Sequence, residues 1–221
     1  MKFGDVEIEW LGNSGFFICN SKKIYIDPYN LKEGAEKADF VLLTHSHYDH
    51  CSLADLRKVV NSKTKIICPV DCQSKIVQVG FPVQMILISP GEELDVSGIK
   101  ILAFPAYNID KNFHPQELGG VGYLIKHKNL LIYHAGDTDL IPEMQKLTGY
   151  NQPENLMIAL LPVGGRFTMT AEEAFDAAKL IKPDVAIPMH YGSVSGSFND
   201  AREFKELCEA EGINVKILER G

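Results

Sequence analysis

The stretch that most constrains this chain is Thr44-His45-Ser46-His47-Tyr48-Asp49-His50, with three imidazoles and a carboxylate inside six residues, directly after the apolar run Phe40-Val41-Leu42-Leu43. No ordinary fold needs that density of coordinating side chains. The apolar run reads as a buried strand. If strand geometry carries on for two residues past Leu43, His45 and His47 point to the same side, because side chains alternate with period 2. Ser52-Leu-Ala-Asp55, followed by Leu56, Val59 and Val60, reads as a capped amphipathic helix, so the chain turns at Asp49 and His50 and aims them at a second position. Neutral imidazoles with a hard carboxylate suit zinc, or iron and manganese less specifically. A mixed set over two positions predicts a dinuclear centre. The bland alternative, surface histidines in a loop, does not account for this spacing of ligand types.

Composition bounds the partners. With 221 residues, 45% hydrophobic and 23% charged, the chain has apolar material for a substantial core and is expected to form one domain over 1–221. A formal charge of -7, with Lys22-Lys23 as the longest basic cluster, predicts no nucleic-acid partner, since a phosphate-backbone binder shows a clustered basic face. Met1-Lys-Phe-Gly-Asp5 lacks a signal peptide's apolar stretch, and no segment approaches the roughly 20 apolar residues of a membrane span. A cytoplasmic protein with no membrane partner is expected; a homo-oligomer is compatible with the sequence. Five scattered cysteines (Cys19, Cys51, Cys68, Cys72, Cys208) read as reduced thiols. Cys68 and Cys72 are expected to pack, and Cys51 falls beside His50.

Along the chain, Val6–Trp10, Phe16–Cys19 and Lys23–Asp27 read as strands, and Asp27-Pro28 closes the third with a carboxylate. Asp27 is either a group behind the metal ligands or an Asp-Pro turn starter. Lys65–Cys68, Met85–Ile88 and Lys100–Phe104 follow as strands, with Asp71 expected to cap a helix running to Gly80. Val121–Ile125 and Leu130–Tyr133 form a hairpin. The second strand then runs through Gly136 to Asp137, which becomes a candidate ligand. Leu156–Leu161 is a buried strand, Thr170-Ala-Glu-Glu173 a capping box, and Asp184–His190 a strand ending in histidine. Ala201, Phe204, Leu207 and Cys208 stripe a last helix, and Val215–Leu218 reads as a final strand. Three apolar strands thus deliver His45, Asp137 and His190 at their carboxyl ends, where open α/β sheets place their sites.

These residues resemble the metallo-β-lactamase superfamily, whose signature is His-x-His-x-Asp-His after a strand. The match extends over Trp10-Leu-Gly12 with Ser14, Asp27-Pro28, His45 to His50, Gly136-Asp137-Thr138, Pro162-Val-Gly-Gly165 and Pro188-Met-His-Tyr-Gly192. It looks most like the compact metal-dependent hydrolase branch that includes ascorbate-6-phosphate lactonase. The resemblance implies an α/β fold, a four-layer αββα sandwich. It also implies that His45 and His47 bind a first ion, Asp49, His50 and His190 a second, and that Asp137 bridges them. The family's third histidine for the first ion falls at Asn108, and Asn13 stands where relatives often carry histidine. His114 in Asn112-Phe-His-Pro115 is the expected replacement ligand, with contact to substrate as its other reading. His134 is read as a supporting or core histidine.

Two divalent ions less the charges of Asp49, Asp137 and a hydroxide leave the centre at about +1, and zinc lowers the pKa of bound water to roughly 7. The expected chemistry is metal-dependent hydrolysis of a small-molecule lactone, ester or phosphoester, with Asp49 orienting the attacking group and moving its proton. Lys111 and Arg166 are candidates for an anionic group on the substrate. The alternatives are a nuclease of the RNase Z class, disfavoured by the missing basic face, and a di-iron redox protein, disfavoured by His47 where such relatives carry a carboxylate.

Overall fold

The computed structural model describes all 221 residues. They divide into two compact units, Met1–Ser89 with Leu218–Gly221, and Pro90–Ile217.

The first unit holds a seven-stranded sheet in the sequence order β1 to β7: Lys2–Phe3, Val6–Gly12, Gly15–Cys19, Lys23–Ile26, Phe40–Leu42, Lys65–Cys68 and Gln84–Leu87. β1 to β4 are antiparallel and β4 to β7 parallel. Alternation sets the register: Val6, Ile8 and Trp10 of β2 are buried while Glu7 is exposed. One face of the parallel half, with Val41, Leu43, Ile66 and Cys68, packs on α1 (Leu53–Val59) through Leu56 and Val59. Burying each of these side chains contributes about 1.5–3 kcal/mol, and Leu56→Ala would cost about 2–5 kcal/mol. Ser52 starts α1 by accepting from Asp55 N, as the sequence predicts. The chain end joins this unit, with Gly221 N donating to Trp10 O at 3.0 Å.

The second unit holds six strands in the order β13-β12-β11-β10-β9-β8, with β8 Glu93–Val96, β9 Ile99–Pro105, β10 Val121–His127, β11 Leu130–His134, β12 Leu156–Pro162 and β13 Val185–Met189. β8 to β11 are antiparallel, and β11 to β13 parallel. Both units therefore pass from an antiparallel meander to a parallel half. Ligand-type residues follow the parallel strands β5, β11 and β13, whose connections are free to form loops at the carboxyl end. The helix after Thr170, α3 (Ala171–Ile181), has both halves of its capping box, and α4 (Phe198–Ala210) packs against it. No helix is long and apolar enough to cross a membrane.

Three local expectations are corrected. Asp71 caps no helix: it lies inside the 3-10 turn Val70–Cys72, and its carboxylate accepts from Ser46 N at 2.9 Å. The segment up to Gly80 is a succession of short 3-10 and α turns, with α2 covering only Gln73–Ile76. Val215–Leu218 makes one isolated bridge to Ala186 in place of a strand, although Lys216 N still donates to Ala186 O.

Candidate metal centre

The first ligand-rich loop leaves β5 at Leu42, three residues before His45, so the strand does not continue far enough to align the histidines by alternation. The rings of His45 and His47 are nevertheless neighbours, with centroids 4.6 Å apart, and His45 and His50 lie at 4.1 Å. The loop is anchored from two sides. Asp71 takes Ser46 N, and Lys75 Nζ donates to Ser46 O. Asp27, fully buried at the end of β4, accepts from Thr44 N at 2.8 Å and Thr44 Oγ1 at 2.6 Å, and its Oδ2 lies 2.7 Å from His50 Nδ1.

These contacts assign tautomers. A carboxylate oxygen only accepts, so His50 Nδ1 carries the hydrogen and Nε2 the lone pair of the neutral ring. Thr44 spends its single hydroxyl hydrogen on Asp27, so at 3.0 Å its oxygen accepts from His45 Nδ1, which makes Nε2 the lone-pair nitrogen there too. His50 Nε2 then stands 3.2 Å from Asp49 Oδ2. Two acceptors at that distance repel unless a proton or a cation lies against both. Asn13 donates its Nδ2 to the same Asp49 oxygen at 2.9 Å.

In the second unit, His114 Nε2 lies 3.5 Å and His190 Nε2 3.1 Å from Asp137 Oδ2, so two imidazoles and a carboxylate from three distant segments converge. Gly136, at φ 69°, makes the bend into Asp137: a Cβ there would stand 2.8 Å from Val121 O. Gly164 lets the loop after β12 pass His190, since its Cβ would fall 2.4 Å from His190 O and 2.5 Å from Ser195 Oγ. Ser195 Oγ is 3.2 Å from His190 Nδ1. Asn108 Oδ1 is 3.0 Å from His114 Nδ1.

Backbone conformation marks the same places. Of the non-glycine residues at positive φ, Ser97 and Lys128 turn hairpins, Lys182 caps α3, and Asn30 lies where its N donates to Asp55. Asn13 (49°), Asp27 (43°) and His190 (57°) belong to the ligand surroundings, where strained conformations concentrate.

A divalent ion fits both sets on the chemistry of their donors: imidazoles held by hydrogen bonds on the far side of the ring at His45, His50, His114 and His190, with His50 Nε2 facing Asp49 and the Nε2 atoms of His114 and His190 facing Asp137. The Asp27 side chain stands behind His50 and also takes Thr44 N, so it does more than start the Asp27-Pro28 turn. Asn108 holds His114, its Oδ1 accepting from the backbone N and lying against the ring Nδ1. His134 is buried in β11 with Nδ1 accepting from Gly136 N. Lys111 is not a substrate handle: its Nζ lies 2.6 Å from Asp139, 3.2 Å from Asp110 and 3.7 Å from Glu173. Burial works against its charge, but Asp139, Asp110 and Glu173 together outweigh that and hold its pKa above the ordinary value. Arg166 stacks over the Phe167 ring at 5.0 Å. The anchors Thr44, Asp71, Asp139 and Ser195 carry no sequence signal, because their roles rest on partners far along the chain.

The profile of the β-lactamase superfamily domain matches residues 7–190. The chain is 34% identical to the UPF0173 metal-dependent hydrolase of Pyrococcus horikoshii over 98% of this chain and 97% of that protein. A crystal structure of a Parabacteroides distasonis protein superposes with a TM-score of 0.81 at 30% identity, covering 97% of this chain and 94% of the other. Igni18, a metallo hydrolase of Ignicoccus hospitalis, gives 0.77 at 30% identity over 98% and 96%. The chain therefore belongs to the metallo-β-lactamase superfamily and has its fold, as the motifs imply. Within it, the chain falls among the compact metal-dependent hydrolases represented by the Pyrococcus protein.

Proposed function

We propose that this protein binds two divalent ions, zinc by preference, and hydrolyses an ester, lactone or phosphoester bond in a small molecule. The residues proposed as ligands are His45, His47, Asp49 and His50 in the first unit and His114, Asp137 and His190 in the second, and residues 1–221 are proposed to act as one catalytic domain. The observation that carries the reading is the approach of His50 Nε2 to Asp49 Oδ2 at 3.2 Å, with Asp27 holding the opposite ring nitrogen. The convergence of His114 and His190 on Asp137 supports it independently.

When bound, the ions supply Lewis acidity and water acidified to near neutral pH. The chain's own contribution is orientation. Asp27 keeps His50 in one tautomer, and Asn13 pins one oxygen of Asp49. Asp49 is the residue proposed to orient the attacking water and take up its proton. With Lys111 committed to carboxylates, preference for an anionic substrate falls to the positive centre itself and to Arg166. A cytoplasmic setting accords with the reduced cysteines.

The test is elemental analysis after reconstitution with zinc, manganese or ferrous iron, with turnover measured on lactones, carboxylic esters and phosphoesters. Two ions per chain and turnover of one substrate class are expected. Trace metal after reconstitution would overturn the reading.

A further inference from the structure

Asn108 holds the place where the resemblance leads one to expect a ligand, and its contacts point to a different task. Its Nδ2 donates to Asp139 Oδ1 at 3.0 Å and to Phe167 O at 3.0 Å, two groups that only accept. The orientation of the amide is therefore settled without reference to His114. Its Oδ1 faces His114, accepting from the backbone N at 3.0 Å and lying 3.0 Å from the ring Nδ1. Asn108 N returns a bond to His114 O at 2.8 Å, closing the loop on itself.

We propose that Asn108 is the positioning residue that fixes the tautomer of His114, and that Asp139 in turn fixes Asn108. An amide oxygen cannot donate, so Nδ1 of His114 keeps its hydrogen and Nε2, the nitrogen nearer Asp137, carries the lone pair. Asp139 is buried and held by Ile109 N at 2.8 Å and Lys111 Nζ at 2.6 Å. The chain Lys111–Asp139–Asn108–His114 is thus polarised in one direction, with every donor and acceptor assigned. A carboxylate behind His50 and an amide behind His114 perform the same service by different means: the amide adds no charge of its own. The consequence for metal binding rests on His114 being a ligand, as proposed above; the tautomer itself does not.

The two can be tested apart. In the full-length protein, stripped of metal by a chelator and shown folded by circular dichroism, ring-nitrogen NMR at a pH where imidazoles are neutral reads the tautomer of each histidine. His114 is expected in the Nδ1–H form. Asn108→Ala should move it toward Nε2–H and weaken zinc binding, measured by chelator competition, by roughly ten- to hundredfold. Asn108→Leu, of similar size but without an acceptor, carries the same readout if the alanine variant does not fold: it should likewise move His114 toward Nε2–H, and Nδ1–H there counts against the clamp. An unchanged Nδ1–H tautomer in Asn108→Ala would overturn the clamp. A shifted tautomer with zinc affinity unaffected in both Asn108→Ala and His114→Ala would uphold the clamp and overturn His114 as a ligand.

Discussion

The ligand-type residues of the first unit come from one loop of six residues, whereas those of the second come from His114, Asp137 and His190 on three separate connections. The first loop takes shape on a strand before it, a capped helix after it, and two anchors, Asp27 and Asp71, that lie 17 and 25 residues from the groups they hold. The second set depends on the register of β11, β12 and β13 and on loop-to-loop bonds such as Asp139 N to Tyr107 O and Met169 N to Thr138 O. Local covalent proximity makes an arrangement cheap in entropy, and distant segments must be ordered by packing first. The contiguous set should therefore fail only through its own anchors, and the dispersed set through residues well removed from any ligand.

The strongest attack on the contiguous set is Asp27→Asn. Thr44 N can still be satisfied, but an amide NH₂ in place of Oδ2 would face His50 Nδ1 and force its hydrogen onto Nε2, against Asp49. Zinc affinity at that set should fall by roughly ten- to hundredfold or more, with the fold retained. Chelator competition and metal stoichiometry read this directly. Unchanged affinity would mean that the loop holds its geometry without the anchor.

Gly164→Ala probes the dispersed set from a residue that touches no ion. The added carbon meets His190 O and Ser195 Oγ inside contact distance, so the loop carrying His190 must shift at a cost of about 1–3 kcal/mol. A lower melting temperature and looser retention of one ion are expected together. If both stay at the wild-type value, the second set tolerates displacement and the contrast with the first collapses.

The smallest effect concerns Lys111. Its pKa is raised above the ordinary 10.5 because Asp139, Asp110 and Glu173 together outweigh burial. A raised folded-state value means the stabilisation is complete below the ordinary pKa and fades as pH climbs through the folded one. Lys111→Met should lose about 1–2 kcal/mol at neutral pH, since Asp139 keeps its bonds from Asn108 and Ile109. Denaturant midpoints of the two proteins should converge in strong alkali. A gap independent of pH would place the cost in packing of the lysine stem.

The motif His45–His50, the N-cap Ser52, the capping box at Thr170 and most strands were readable in one dimension because each rests on bonds spanning three or four residues, or on a period of two. The family and its fold followed from the same short-range patterns. What could not be read were the acidic residues whose partners lie elsewhere. Asp71 has the position of a helix cap and serves Ser46, while Lys111 resembles a surface cation and is drawn into a trio of carboxylates. A polar side chain beside a turn has several local partners of similar strength, so the choice among them falls to whatever the folded chain brings near. For the same reason the list of ligand types was set by the residues themselves, while the assignment of a ring nitrogen to His50, His45 and His114 required Asp27, Thr44 and Asn108 to be seen in place.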